Sequence, residues 1–427
     1  MSIRMSSSLP KSTTLRHPAS RWLGNPTRAF FLAFSIVALT QIFLPAKASA
    51  QFGMMGNSQA MQQTISRRGL DTYCRMLSFD KDQKEVAVAL LEGHQSALST
   101  MQKEMQDSMA GLAEKMQDGG FEEYQKEMPK VMKSMGEKAE GLEKGFFDDL
   151  KALCNEDQLA QWPAVERFRR RETAMRFGFV SGSAVDLISI SDRIKPTPTS
   201  ESEYKETLSA YELEVDRILV NFEQIGKDAQ KGMLEPGAMF DMKRIETMMK
   251  KFYDSAVMIR DINRNYARKL DGILLESDRA KLTSEINRRS FPRIYRDSHT
   301  QQILKTALKF EDLKPEQKEQ LAAINESHAR EAASINEKWA KAMEEKEAKA
   351  GGTLMVMIQS FQTMNDGGDK EDPVKEQREA RKALDDKTKD KVEAMLTPDQ
   401  KSKLPAKKHA EFNPMADFML GEDEEES

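Results

Sequence analysis

The chain has 427 residues, 39% hydrophobic, 31% charged and only 7% aromatic, with a formal net charge of −4. That composition suits long amphipathic helices better than a thick globular core. Its acidic balance excludes a protein built to hold nucleic-acid phosphates, which requires a basic surface.

Residues 1–50 read as a secretory leader. Arg4, Lys11, Arg16, Arg21 and Arg28 precede an apolar run from Ala29 to Leu44, and Ala48-Ser49-Ala50 offers small residues for cleavage before Gln51. The run is short for a spanning helix, with an uncleaved anchor as the alternative. The leader holds six Lys/Arg and no Asp/Glu, so its removal leaves 59 basic against 69 acidic residues, a net of −10. The expected location is periplasmic or secreted, with no stable membrane insertion after cleavage.

A Met/Gln/Gly-rich lead-in follows over 51–72. The rest divides into three units, at 73–171, 181–295 and 302–409, before an acidic tail at 410–427 that reads as a solvated, disordered end. The division rests on a motif. Leu313-Lys314-Pro315-Glu316-Gln317 and Leu396-Thr397-Pro398-Asp399-Gln400 each open a charged run, with Pro where the first helical turn needs no N–H. Moving back 242 positions from Asp399 and Gln400 reaches Asp157 and Gln158. Moving back 234 from Leu313, Glu316, Gln317 and His328 reaches Phe79, Asp82, Gln83 and His94. The middle unit keeps Leu275 and Asp278 of the motif but carries Arg279 in the Gln position. A period near 120 residues exceeds the usual solenoid repeats, so each unit is a small module.

Within unit three, Leu321, Ile324, His328, Ala332, Ile335, Trp339 and Met343 fall at helical spacing, and a return helix is expected from about Val374 to Met395. Unit one repeats the stripe with Leu90, His94, Leu98, Met101, Met105 and Met109. The predicted fold is therefore all-α, three tandem antiparallel helical hairpins with no sheet.

The far ends of the hairpins combine Gly with apolar residues. The candidate client-binding residues there are Met128, Met132 and Met135 in unit one and Met233, Met239 and Met242 in unit two. Unit three adds Leu354, Met355, Met357, Phe361 and Met364. Unbranched Met makes adaptable contact surfaces and equally fills irregular cores, so tip packing is the competing reading.

Cys74 and Cys154 come together at the open end of an antiparallel hairpin, as a disulfide or as two buried thiols. His94 and His328 are weak metal candidates, since a site would need further ligands converging on them. The basic, aromatic stretches around Arg167 to Arg176 and Arg288 to Arg296 read as unit-to-unit salt bridges or as a docking patch. No nucleophile elbow, phosphate loop or paired-histidine motif is present in the sequence, so neither catalysis nor a cofactor is expected.

On the motif residues Leu313, Pro315, Gln317, Leu396, Thr397 and Gln400, unit three resembles the Spy/CpxP family of exported helical proteins, named for paired Leu-Thr-x-x-Gln motifs. The resemblance implies a cradle-like helical hairpin in the envelope. It implies either ATP-independent holding of unfolded or envelope proteins, or stress sensing with zinc, nickel or cobalt. A structural envelope interaction protein is the further alternative. The acidic mature chain and the fusion of three units depart from the family pattern.

Overall fold

The computed structural model describes residues 65–117, 121–176, 178–233, 235, 241–352, 355–356 and 372–406. Residues 1–64, with the expected leader and most of the expected lead-in, and residues 407–427, with the expected acidic tail, lie outside them. Among the described residues the protein is all-α, with one isolated bridge between Pro198 and Leu274 and no sheet.

The first helix, α1 (Arg67–Met76), begins at Ser66, whose side chain accepts from the Gly69 N–H. It spans the expected boundary at 72/73, with its first six residues in the stretch expected to be lead-in and Tyr73 to Met76 in unit one. Leu70, Tyr73 and Cys74 are buried with Ile65, so apolar spacing makes this segment part of the core rather than a linker. The long helices α2 (Lys81–Gln117) and α3 (Phe121–Ala152) then pack antiparallel as hairpin one. Short α4 (Glu156–Ala160) and α5 (Trp162–Ala174) close its base. Phe146, Phe147, Leu150, Trp162 and Val165 join α1 in one aromatic-rich cluster there. Farther out, Leu98, Met101 and Met105 of α2 meet Met135 and Ala139 of α3 in a second, thinner cluster.

Hairpin two consists of α7 (Glu201–Met233) and α8 (Met242–Ile273), preceded by α6 (Leu187–Ile194) and followed by α9 (Glu276–Ser290). Tyr211, Val215, Leu219 and Phe222 face Ile245, Phe252, Ala256, Ile259 and Leu270. Leu187 and Ile190 of α6 and Leu282 of α9 seal the flanks. Inside this apolar core the Tyr211 hydroxyl donates to Asn263 Oδ1 at 3.0 Å, and Asn263 Nδ2 donates to the Gly182 carbonyl at 2.9 Å. Buried polar groups are tolerated when satisfied in this way.

The short α10 (Pro292–Tyr295) leads to hairpin three. It is formed by α11 (His299–Ala307), α12 (Pro315–Ala350) and α13 (Pro373–Met395), with α14 (Pro398–Ser402) at the end. Ile303, Leu304 and Ala307 pack under Leu321, Val392 and Leu396. Two joints fix neighbouring pairs. Between the first and second, the Arg170 guanidinium makes a two-pronged bond to Asp216 at 2.7 and 3.0 Å. Beside it, Arg167 and Arg171 share Glu212 at 2.9 and 2.7 Å. Between the second and third, Phe291 and Ile294 pack on Trp339 and Ala340.

Candidate functional site

The motif glutamines do more than start helices. In hairpin one, Gln83 reaches back to the Asp80 N–H and Gln158 to the Asn155 N–H, each closing the return half of a cap. Their amide nitrogens then cross the hairpin mouth. Gln83 Nε2 donates to the Leu153 carbonyl at 2.7 Å, and the two amides bond one another in both directions at 2.9 Å. Hairpin three repeats the device. Gln317 caps at Lys314 and donates to the Met395 carbonyl at 2.7 Å, while Gln400 caps at Thr397 and donates to the Asp312 carbonyl at 3.4 Å. Glutamine serves here because one side chain carries an acceptor for its own helix and donors for the opposite strand of chain. Leu313 and Leu396 pack in the core below, and Pro315 occupies the first turn.

Hairpin two is closed differently. Thr199 donates twice to the Ile273 carbonyl, at 2.7 and 2.8 Å, and Asp278 accepts from the Thr197 N–H at 2.8 Å. Arg279, standing in the Gln position, donates from Nε to the Leu274 carbonyl of its own segment at 2.9 Å. The mouth is thus held by a pair of extended residues instead of a crossed amide.

The candidate methionines divide. Met128 and Met135 are buried and Met132 is half-buried, all on α3. Met132 and Met135 belong to the thin cluster with α2. The sequence reading grouped them at the hairpin tip, as client contacts or as tip packing; the helix runs through Pro129 and buries Met128 and Met135. Met355 is half-buried against the core of hairpin two. Met239, Leu354, Met357, Phe361 and Met364 lie outside the described residues, as do the side chains of Met233 and Met242.

The distal part of hairpin one nevertheless presents a surface. Beyond its base, among the described residues, the distal cluster is built from α2 and α3 alone, and an open groove of about 560 Å³ runs between them. Val131 and Met135 form its floor. Glu104 and Asp107 line the α2 wall, and Lys130 and Lys138 the α3 wall. Lys138 bridges to Glu104 at 2.6 Å across the seam, with both side chains half in solvent. This charged rim over a thioether floor was missed in sequence. The signal for it was the Met stripe on α2 read together with Lys at helical spacing on α3.

Neither histidine sits among metal ligands. His94 is buried beside the Phe146 ring, 5.3 Å between centroids. His328 Nε2 meets Asp385 Oδ1 at 2.6 Å, and the Arg381 guanidinium lies on the same carboxylate at 3.3 Å, a charge that opposes a second cation. Burial raises the Asp385 carboxyl, but the His328 hydrogen bond and the Arg381 charge outweigh it and hold the group below its ordinary value. Among the described residues no three His, Cys, Asp or Glu converge to hold a metal.

Cys74 and Cys154 are both free thiols. They share the base cluster of hairpin one, yet Cys154 Sγ points to the Leu150 carbonyl of the preceding turn at 3.7 Å, so the expected bridge is not formed. Burial raises both thiols above the ordinary value, which makes them poor nucleophiles. The basic stretch after α4 is used internally, through the Arg167, Arg170 and Arg171 pairs and through Arg169 stacked 4.6 Å over Phe147.

No family model matches the chain, and no curated protein or solved structure matches it either. No helix among the described residues is long and apolar enough to cross a membrane.

Proposed function

We propose that the chain is an exported, ATP-independent binding protein that holds unfolded or amphipathic protein segments along the open flank of hairpin one. The observation that carries this reading is the two-helix arm itself. A pair of helices with no third element buries its seam but leaves both flanks of that seam in reach of a partner. Thioether floors adapt to varied shapes, and mixed acidic and basic rims keep a complex soluble. The paired glutamine clasps at 83/158 and 317/400 support reading hairpins one and three as divergent copies of one unit of the Spy/CpxP type. A periplasmic or secreted location belongs to the same proposal.

The test is light scattering from a denatured model client with the purified chain at near-stoichiometric amounts. The wild type is expected to slow aggregation. Val131→Ser combined with Met135→Ser is expected to reduce that protection severalfold while far-UV circular dichroism stays unchanged. Equal protection by wild type and variant overturns the site, and no protection by either overturns the function. One observation favours a second reading, a structural envelope protein. The Arg167, Arg170 and Arg171 pairs fix hairpin one against hairpin two, as a spacer requires. Recovery of one stoichiometric partner rather than many clients in pull-downs favours that alternative.

A further inference from the structure

A separate cleft of about 480 Å³ opens at the base of hairpin one, between α1 and the first turns of α2. Its apolar lining is Leu70, Cys74 and Val88, the first two of them buried. Arg67, Asp71, Arg75, Ser78 and Lys84 stand around these, three cations against one carboxylate in a chain of net charge −4. Helical spacing explains the arrangement. Arg67, Asp71 and Arg75 recur every four residues, so they share one stripe of α1 over about 12 Å, while Lys84 and Val88 are paired likewise on α2. Ser78, at φ +50°, turns the chain from one helix toward the other.

The two ends of the cleft differ. At one end Arg67 Nε lies 3.8 Å from Asp71 Oδ1, a donor and an acceptor side by side. At the other, Arg75 makes a single marginal contact of 3.5 Å with Thr72 Oγ1. Among the described residues the Lys84 ammonium and the Ser78 hydroxyl take no hydrogen bond or ion pair. By contrast Lys81, Lys130, Lys138 and Lys144 of the same hairpin each have a carboxylate partner. Burial is the main cause that raises the Cys74 thiol, and Asp71 adds to it while Lys84 and Arg67 oppose it. Charges from both helices therefore act on one sulfur at the inner side of the cleft.

Arg and Lys side chains carry donors only, and a guanidinium fork matches the oxygens of a phosphate. A bare phosphate would leave most of 480 Å³ empty, whereas clefts of this size hold small organic ligands. We propose that the cleft is a binding site for a small organic phosphate ester: Arg75, Lys84 and Ser78 take the phosphate, and the carbon body lies over Leu70 and Val88. The Arg67–Asp71 pair meets hydroxyl groups at the far end. The site lies at the base of hairpin one and does not depend on the client-binding reading.

Cys74 is a built-in reporter, and Cys154, outside the lining, is its reference. The full chain is titrated with glycerol 3-phosphate by calorimetry, and both thiols are labelled with a neutral maleimide and read by peptide mass. Binding of one ester per chain is expected, with Cys74 labelling slowed about tenfold at ten times the dissociation constant and Cys154 labelling unchanged. Arg75→Gln combined with Lys84→Gln is expected to weaken binding by about tenfold or more, with thermal unfolding unaltered because both side chains are exposed. Vesicles of phosphatidylglycerol separate the two sources of such a phosphate. Sedimentation of the chain with them, lost in the double variant, assigns the site to a lipid headgroup, and absence of sedimentation assigns it to a free ester. Binding that leaves Cys74 unprotected, or that persists in the double variant, places the anion elsewhere and overturns the site. Inorganic phosphate binding as tightly as the ester overturns the role of Leu70 and Val88. No binding of phosphate, ester or vesicle overturns the proposal as a whole.

Discussion

Hairpins one and two use helices of nearly equal length and reach opposite structural outcomes. In hairpin two the α7–α8 seam is covered by α6, α9 and the turn after α12, so it supports rings such as Phe252 and Tyr211 at 1% and 0% exposure. In hairpin one only the base has such cover, and there too the core is aromatic. Once α1, α4 and α5 fall away, the seam changes to Leu and Met. A third layer decides what a helix pair can bury. Large rings need neighbours on every side, whereas flexible thioethers fill a seam two helices wide.

This difference is tested first by matched truncations. Phe252→Ala is expected to cost about 3–5 kcal/mol in urea denaturation, since the enclosed core cannot collapse around the void. Met105→Ala is expected to cost about 2 kcal/mol at most, seen as faster exchange in the arm instead of global unfolding. Equal costs at the two sites would break the comparison.

The mouths of the hairpins supply the next effect. Gln400→Ala and Gln158→Ala each remove a cap and a cross-hairpin bond, with an expected loss of about 1–2 kcal/mol. Arg279→Ala at the equivalent place in hairpin two is expected to cost less than about 0.5 kcal/mol, because Thr199 and Asp278 carry that closure.

Acid gives the smallest and most local contrast. Burial pushes the Glu172 carboxyl above its ordinary value, and the Tyr73 hydroxyl and Arg176 charge offset this only in part. A carboxyl raised on folding binds its proton more tightly in the native state. The base of hairpin one is therefore expected to gain stability as pH falls through that raised value. Asp385 in hairpin three is depressed, so its contribution is full above the ordinary carboxylate value and lost as pH falls below it. Exchange measured against pH should slow first around Tyr73 and quicken around His328 only in stronger acid. The reverse order contradicts the assignment.

Much of the architecture was legible because local rules agreed. The seam from Leu321 to Met343 lies along α12 with Leu321, His328, Ala332 and Trp339 buried, and the return helix ends at Met395, next to the motif. Arg167, Arg170 and Arg171 were readable as unit-to-unit pairs because Arg clusters after an acidic helix start seek carboxylates. The sites were less legible. Met128 and Met135 looked like turn residues beside Gly119-Gly120, and only their inward rotation on α3 shows them as core. Glu347 looked like one more carboxylate on a charged helix. Its burial depends on Ser181, 166 positions away, which no periodicity connects.

Periodicity, caps and motif spacing by themselves determined that this chain is helical, that the motif marks helix starts, and that Gln83 and Gln158 occupy the places of Gln317 and Gln400. Those properties follow from interactions within four residues or from recurrences along the chain. Tertiary structure alone decided which helix pairs receive a third layer, which methionines become floor, and where the end of α12 lands. Such outcomes depend on surfaces meeting across more than a hundred residues, and the chain records them only as isolated polar or small residues that local rules leave unexplained.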